Sequence, residues 1–109
     1  MTDAPIDLAG RRILFVGGRD RNAAYLRQRV EDCNGSFLYH DGGLQESMSR
    51  LGNLLKRADA VLFPVECISH SALHKVKQLC RRWDIPYVPL RHSGGDAVSL
   101  ALHSLARAN

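Results

Sequence analysis

The chain has 109 residues, 45% of them hydrophobic and 24% charged, which fits one soluble globular domain with a modest core. No apolar run approaches the roughly 20 residues needed to span a bilayer. Asp3 and Asp7 lie where a secretory signal would carry a basic and then an apolar block, so a cytoplasmic location is expected. The formal charge is +4 and the sequence pI is near 9.3. Much of the excess sits on Arg11, Arg12, Arg19, Arg21, Arg27, Arg29 and the segment 75–82. One face could attract anions, although solvated helix surfaces ordinarily carry such charges. Cys33, Cys67 and Cys80 form an odd set without compact spacing, which argues against a disulfide framework and for reduced thiols.

Residues 1–10 read as an N-terminal tail and 11–109 as a single domain. Arg11 to Val16 is a short β-branched and aromatic run, suited to a buried parallel strand. Gly17-Gly18-Arg19-Asp20 follows, and Asp20 can cap a helix over about 21–33, with Ala23, Leu26, Val30 and Cys33 at helical spacing. Asn34-Gly35 stops it. Ser36 to His40 is the second strand, and His40-Asp41-Gly42-Gly43 leads to a helix over about 44–58 with Leu44, Met48, Leu51 and Leu55 inward. Asp59 to Phe63 is the third strand, halted by Pro64, which cannot donate to a ladder. Ser69 is an N-cap for a helix to Trp83 that turns Leu73, Val76, Cys80 and Trp83 inward. The fourth strand spans Ile85 to Leu90, and Pro86 and Pro89 suggest an edge position. A last helix covers about 96–106, with Val98, Ala101, Leu102 and Leu105 inward.

Strand and helix alternate four times, so the expected fold is α/β: a small, doubly wound, parallel four-stranded sheet of order 2-1-3-4, Rossmann-like or flavodoxin-like. Ligands of such sheets bind beyond the carboxyl ends of the strands, where the strand order reverses. Here that point lies between the first and third strands. The loops there are 17–20 and 64–70, flanked by 40–43 and 91–95, and they carry nearly all of the unusual chemistry of the chain.

Cys67 and His70 form a Cys-x-x-His pattern across a helix start. The positive end of the helix favours a thiolate, and His40 could arrive from across the crevice, making these three candidate metal ligands. Mixed sulfur and nitrogen ligands suit zinc, iron or haem iron. The second cysteine of a haem c attachment pattern is absent, so any haem would be held non-covalently. His74, one turn after His70, could join or lie on the surface. A partly buried thiol and a capping histidine would explain the same pattern without a ligand.

Gly17, Gly18 and Arg19 resemble a shortened dinucleotide turn and make a cradle for phosphate or carboxylate, or only a tight turn. Asp41 could cap a turn or orient a histidine, and Gly42 would let backbone approach a ligand. Ser69 and Arg91 complete the candidate cofactor-binding set, with Arg19 or Arg91 available to pair with a haem propionate. Cys67 with His70 or His40 could also serve as nucleophile and base, but no orienting group stands out beyond Asp41 or Glu66. Nucleic-acid binding lacks an aromatic platform and a recognition motif.

Val16-Gly17-Gly18, His40-Asp41-Gly42-Gly43, Asp59-Ala60-Val61, Cys67-Ile68-Ser69-His70, Val76-Lys77-x-x-Cys80 and Pro86-Tyr87-Val88-Pro89-Leu90 together resemble a small bacterial family classed as a domain of unknown function. The resemblance covers about 11–105. It implies a cytoplasmic bacterial α/β protein and marks His40, Asp41, Cys67, His70, Lys77 and Cys80 as positions matching its motifs; it names no ligand. The leading expectation is a metal- or haem-binding module acting as sensor, carrier or regulator. A small anion or nucleotide held by the glycine loops, with Cys67 a redox-sensitive thiol, is the alternative, and a thiol enzyme the third. No membrane partner is expected, and a homodimer covering the exposed sheet edges is.

Overall fold

The computed structural model describes residues 6–17, 23–43, 47–66, 68–91 and 95–107. In chain order the elements are β1 (Arg12–Val16), α1 (Ala23–Asp32), β2 (Ser36–His40), α2 (Met48–Arg57), β3 (Ala60–Pro64), α3 (His70–Trp83), β4 (Tyr87–Leu90) and α4 (Gly95–Arg107). All strand pairs are parallel and the sheet order is β2-β1-β3-β4. The fold is therefore the α/β, Rossmann-like arrangement that the alternating pattern predicts.

Side chains of the central strands alternate between two layers, as a period of two requires. Ile13 and Phe15 of β1 and Ala60 and Leu62 of β3 join Leu26, Val30, Val98, Ala101, Leu102 and Leu105, so α1 and α4 cover one face. Leu14, Val16, Val61 and Phe63 meet Leu51, Leu54, Leu55, Ala72, Val76 and Cys80, so α2 and α3 cover the other. β3 is thus buried throughout, and β1 is apolar and buried after the exposed Arg12 at its start. Deleting a side chain as fully enclosed as Phe15 would cost about 3–5 kcal/mol.

Three details depart from the sequence reading. Leu8, within the expected tail, is fully buried, and its N–H donates to the Cys33 carbonyl at 2.7 Å. An apolar residue beside the α1–β2 turn finds the core layer of α1 and α4 within reach, so order extends before β1. Pro64 closes β3 instead of stopping it a residue earlier, because the register aligns it with Leu90 and the Val65 N–H continues the ladder to the Leu90 carbonyl at 2.9 Å. Leu54 and Ala72 are buried beside the predicted helix stripes.

β4 is an edge strand, as expected, with Pro89 inside it and Pro86 directly before it. The Pro86 carbonyl accepts from Val61 N–H at 3.0 Å. Alternate residues of β4 therefore bond to β3, while the backbone of Tyr87 and Pro89 faces outward, where Pro89 has no N–H to offer another strand.

Candidate functional site

The strand order reverses between β1 and β3, and at that carboxyl edge three loops lock together. Gly17 follows β1 with φ +99°, and its N–H donates to the His40 carbonyl at 2.8 Å. Gly42 (φ +77°) lies against it: a β-carbon on Gly42 would stand 2.9 Å from the Gly17 Cα. That backbone contact explains the glycine at 42, while the positive φ favours glycine at 17. The Gly42 carbonyl then accepts from the Ser69 N–H at 3.2 Å. A β-carbon on Gly43 would meet Ser69 Oγ at 2.8 Å and Met48 Cε at 2.9 Å, so the 41–43 turn is wedged between the end of β1 and the start of α3.

His40 and Asp41 are the buried polar or charged side chains among the described residues. The Gly42 N–H donates to His40 Nδ1 at 3.1 Å, and Nε2 lies 2.9 Å from the Ser47 carbonyl oxygen. A carbonyl can only accept, so these partners assign the Nε2–H tautomer. Both ring nitrogens are thereby engaged, and in this arrangement neither presents a lone pair to a metal. Asp41 is not the group that orients the ring. Its Oδ1 stands 3.9 Å from Nδ1, which carries no proton in this tautomer, and accepts instead from the Gly43 N–H at 3.0 Å. His40 ties β2 to the start of α2, because Ser47 is the α2 N-cap and takes the Arg50 N–H on its hydroxyl at 3.2 Å. Ser47 was not singled out from sequence; a serine directly before an apolar helical stripe was the available signal.

Ser69 caps α3 as predicted, with Oγ accepting from the Ala72 N–H at 3.1 Å. His70 is consequently the first helical residue, exposed at the carboxyl edge. Its ring meets that of His74 edge to face, with centroids 4.9 Å apart. The structure brings Gly17, Asp41, Gly42, Ser69 and His70 into one neighbourhood. The expectations for Gly18, Arg19 and Cys67 lie outside the described residues. Arg91 stands elsewhere: it borders a cleft of about 400 Å³ between β4 and α4, lined by Val88, Leu90, Ala97, Leu100 and Ala101. That cleft belongs to the layer opposite α3.

Cys80 is buried among α2 and α3 residues, and desolvation pushes its thiol up to about 11. Cys33 is likewise raised, chiefly by burial. Neither has the lowered pKa of a metal-binding or reactive thiolate. Among the described residues, no group of three or more His, Cys, Asp and Glu side chains is placed to hold a metal ion.

A family described as an uncharacterized protein conserved in bacteria (DUF2325) matches residues 12–105. The chain belongs to this family. Comparison with curated proteins and with solved structures finds no match. Among the described residues, no helix is long and apolar enough to cross a membrane.

Proposed function

We propose that this family member is a cytoplasmic metal- or haem-binding module, a sensor, carrier or regulator, whose site at the carboxyl edge is anchored by Cys67 and His70. The observation that carries the reading is the placement of His70. The Ser69 cap holds it in the first turn of α3, exposed at the strand-order reversal and three residues from Cys67. A cysteine three residues before a histidine in the sequence supplies the kinds of sulfur and nitrogen donors that zinc and iron accept. His40 then acts as a positioning residue, holding the 41–43 turn against Ser69 with both ring nitrogens in use. The Gly42 and Gly43 amides already donate to His40 and Asp41, so neither is a spare donor for an anion. A homodimer belongs to the same proposal, and pairing would use the β2 edge, since Pro89 blunts the β4 edge.

The test is elemental analysis with an absorption spectrum on protein purified without a histidine tag. Near-stoichiometric zinc or iron, or a Soret band, that disappears in Cys67→Ser would support the proposal. A colourless, metal-free protein that takes up neither added metal nor haem would overturn it. Light scattering reads the dimer, and a monomeric mass would remove that part.

A further inference from the structure

We infer that the outer face of α2 and α3 binds the phosphate backbone of double-stranded DNA through charge, without reading its sequence. This goes beyond the proposed metal or haem site and does not depend on it. The two helices lie side by side over one face of the sheet, with Leu51, Leu54, Leu55, Ala72, Val76 and Cys80 turned inward. Their charged residues are all of one sign. α2 carries Arg50, Lys56 and Arg57, α3 carries Lys75, Lys77, Arg81 and Arg82, and neither helix contains an aspartate or glutamate. Glu46, Asp59, Glu66 and Asp84 border the helices in the chain without interrupting either. Helices of the opposite layer are balanced: α1 sets Arg27 and Arg29 against Glu31 and Asp32, and α4 sets Asp96 against Arg107. The formal charge of +4 is thus concentrated on one layer.

Spacing makes these charges a continuous field. On α3, Lys77 and Arg81 are one turn apart and extend the line of His70 and His74, a stripe about 16 Å long. All four side chains are exposed. Among the described residues, no ion pair or hydrogen bond engages the side chain of Lys77 or Arg81. Gly52 joins the stripe to α2. A β-carbon there would stand 3.4 Å from Lys75 Cε and 3.6 Å from Nζ, so this half-buried lysine lays its ammonium across the neighbouring helix.

The surroundings select the partner. Duplex DNA presents about one negative charge per 1.7 Å of its axis, so a stripe of this length spans several phosphates. The apolar sides of both helices are packed on the sheet, and the large hydrophobics exposed among the described residues, Tyr25, Val65 and Leu100, lie outside both helices. An anionic membrane would find no apolar wedge to take up. Trp83 is the single aromatic residue of the two helices, and it is half-buried with Lys56 Nζ 6.0 Å from its ring centroid. Unstacked bases therefore find no platform, which disfavours a single strand but leaves contact with a duplex backbone open. The α3 stripe has no hydroxyl or amide side chain for a 2′-hydroxyl, so nothing on it selects RNA.

The experiment is fluorescence anisotropy of the untagged full chain with labelled DNA duplexes of two unrelated sequences, each about 20 base pairs long, at about 50 and 200 mM salt. Contact with about four phosphates predicts a roughly hundredfold loss of affinity between the two salt concentrations, the same for both sequences. Lys77→Gln/Arg81→Gln should bind at least about tenfold more weakly at the lower salt and show a shallower salt dependence. Arg27→Gln/Arg107→Gln removes the same charge from the opposite layer and should stay within about threefold of wild type. All four side chains are exposed, so circular dichroism of both variants should match that of wild type. Equal weakening in the two double variants would show that net charge, and not this face, attracts DNA, and overturns the inference. A difference of more than about tenfold between the two sequences would show base readout and also overturns it. Tighter binding to a single strand, an RNA duplex or poly-glutamate of matched length would assign the face to that polyanion and overturn the DNA assignment. Binding to phosphatidylglycerol vesicles without binding to the duplex would do the same in favour of a membrane. Absence of duplex binding at the lower salt overturns the inference outright.

Discussion

Gly42 and Gly17 approach so closely that a single β-carbon on Gly42 would stand 2.9 Å from the Gly17 Cα. This contact joins the loops after β1 and β2 at the strand-order reversal, and the Gly42 carbonyl passes the connection to Ser69 at 3.2 Å. The candidate site thus rests on a backbone-to-backbone junction, which a side chain cannot enter without displacing one loop.

Gly42→Ala should therefore cost about 2–4 kcal/mol, combining left-handed strain with forced backbone movement. Gly10 provides the control. It also has φ +77°, but nothing lies within 4 Å of its added β-carbon, so Gly10→Ala should cost only about 1 kcal/mol. Urea unfolding of the two variants isolates the close approach, and equal losses would contradict it.

His40→Ala should cost about 2–5 kcal/mol, since it leaves a cavity and strands the Gly42 N–H and the Ser47 carbonyl. His40→Phe keeps most of the volume but neither hydrogen bond, so it should remain clearly destabilised. A near-neutral His40→Phe in denaturant unfolding would show that the ring serves only to fill space.

Cys80 predicts an alkaline instability. Its folded pKa, about 11, lies above the ordinary 9.0, so folding favours the neutral thiol. That contribution is fully present below pH 9 and is lost as pH rises toward 11, on the order of 2 kcal/mol in all. Cys80→Ala should cost roughly 1–2 kcal/mol at neutral pH yet show a flatter fall in stability between pH 9 and 11. In native protein at pH 7, iodoacetamide should leave Cys80 unlabelled, as read by peptide mass mapping.

Asp59 has the opposite sign. The Arg12 N–H donates to Oδ2 at 2.8 Å, and with added help from the Arg12 guanidinium at 3.4 Å this holds the carboxyl below its usual 3.8, against slight desolvation. The stabilisation is present above that value and disappears as pH falls below it. Because the side chain is 42% exposed, solvent screening keeps it under about 1 kcal/mol. Asp59→Ala should be mildly destabilised at pH 7 and lose less stability than wild type on going to pH 3, in paired urea titrations.

Strand order was legible because β1 and β3 are short apolar runs between turn signals, while the prolines of β4 mark an edge. The α3 start was legible from Ser69, whose hydroxyl meets the amide three residues on, at Ala72. The role of His40 was not. A histidine ending a strand reads as a ligand until its partners are known, and one partner, the Ser47 carbonyl, is a backbone atom with no residue signature. Leu8 was missed because one leucine amid polar residues has no periodicity, and only the fold brings it beside Cys33. Arg91 follows a strand at the carboxyl edge, yet it borders the α4 layer, a distinction that depends on which face each helix covers.

The most direct test of the central claim is the near-ultraviolet spectrum of the untagged protein titrated with Co²⁺, a spectroscopic substitute for zinc. The account predicts a thiolate-to-cobalt charge-transfer band that saturates at one ion per chain and vanishes in Cys67→Ser, while Cys80→Ala retains it. Cobalt binding without that band, or a band indifferent to Cys67→Ser, would contradict a metal site anchored at Cys67.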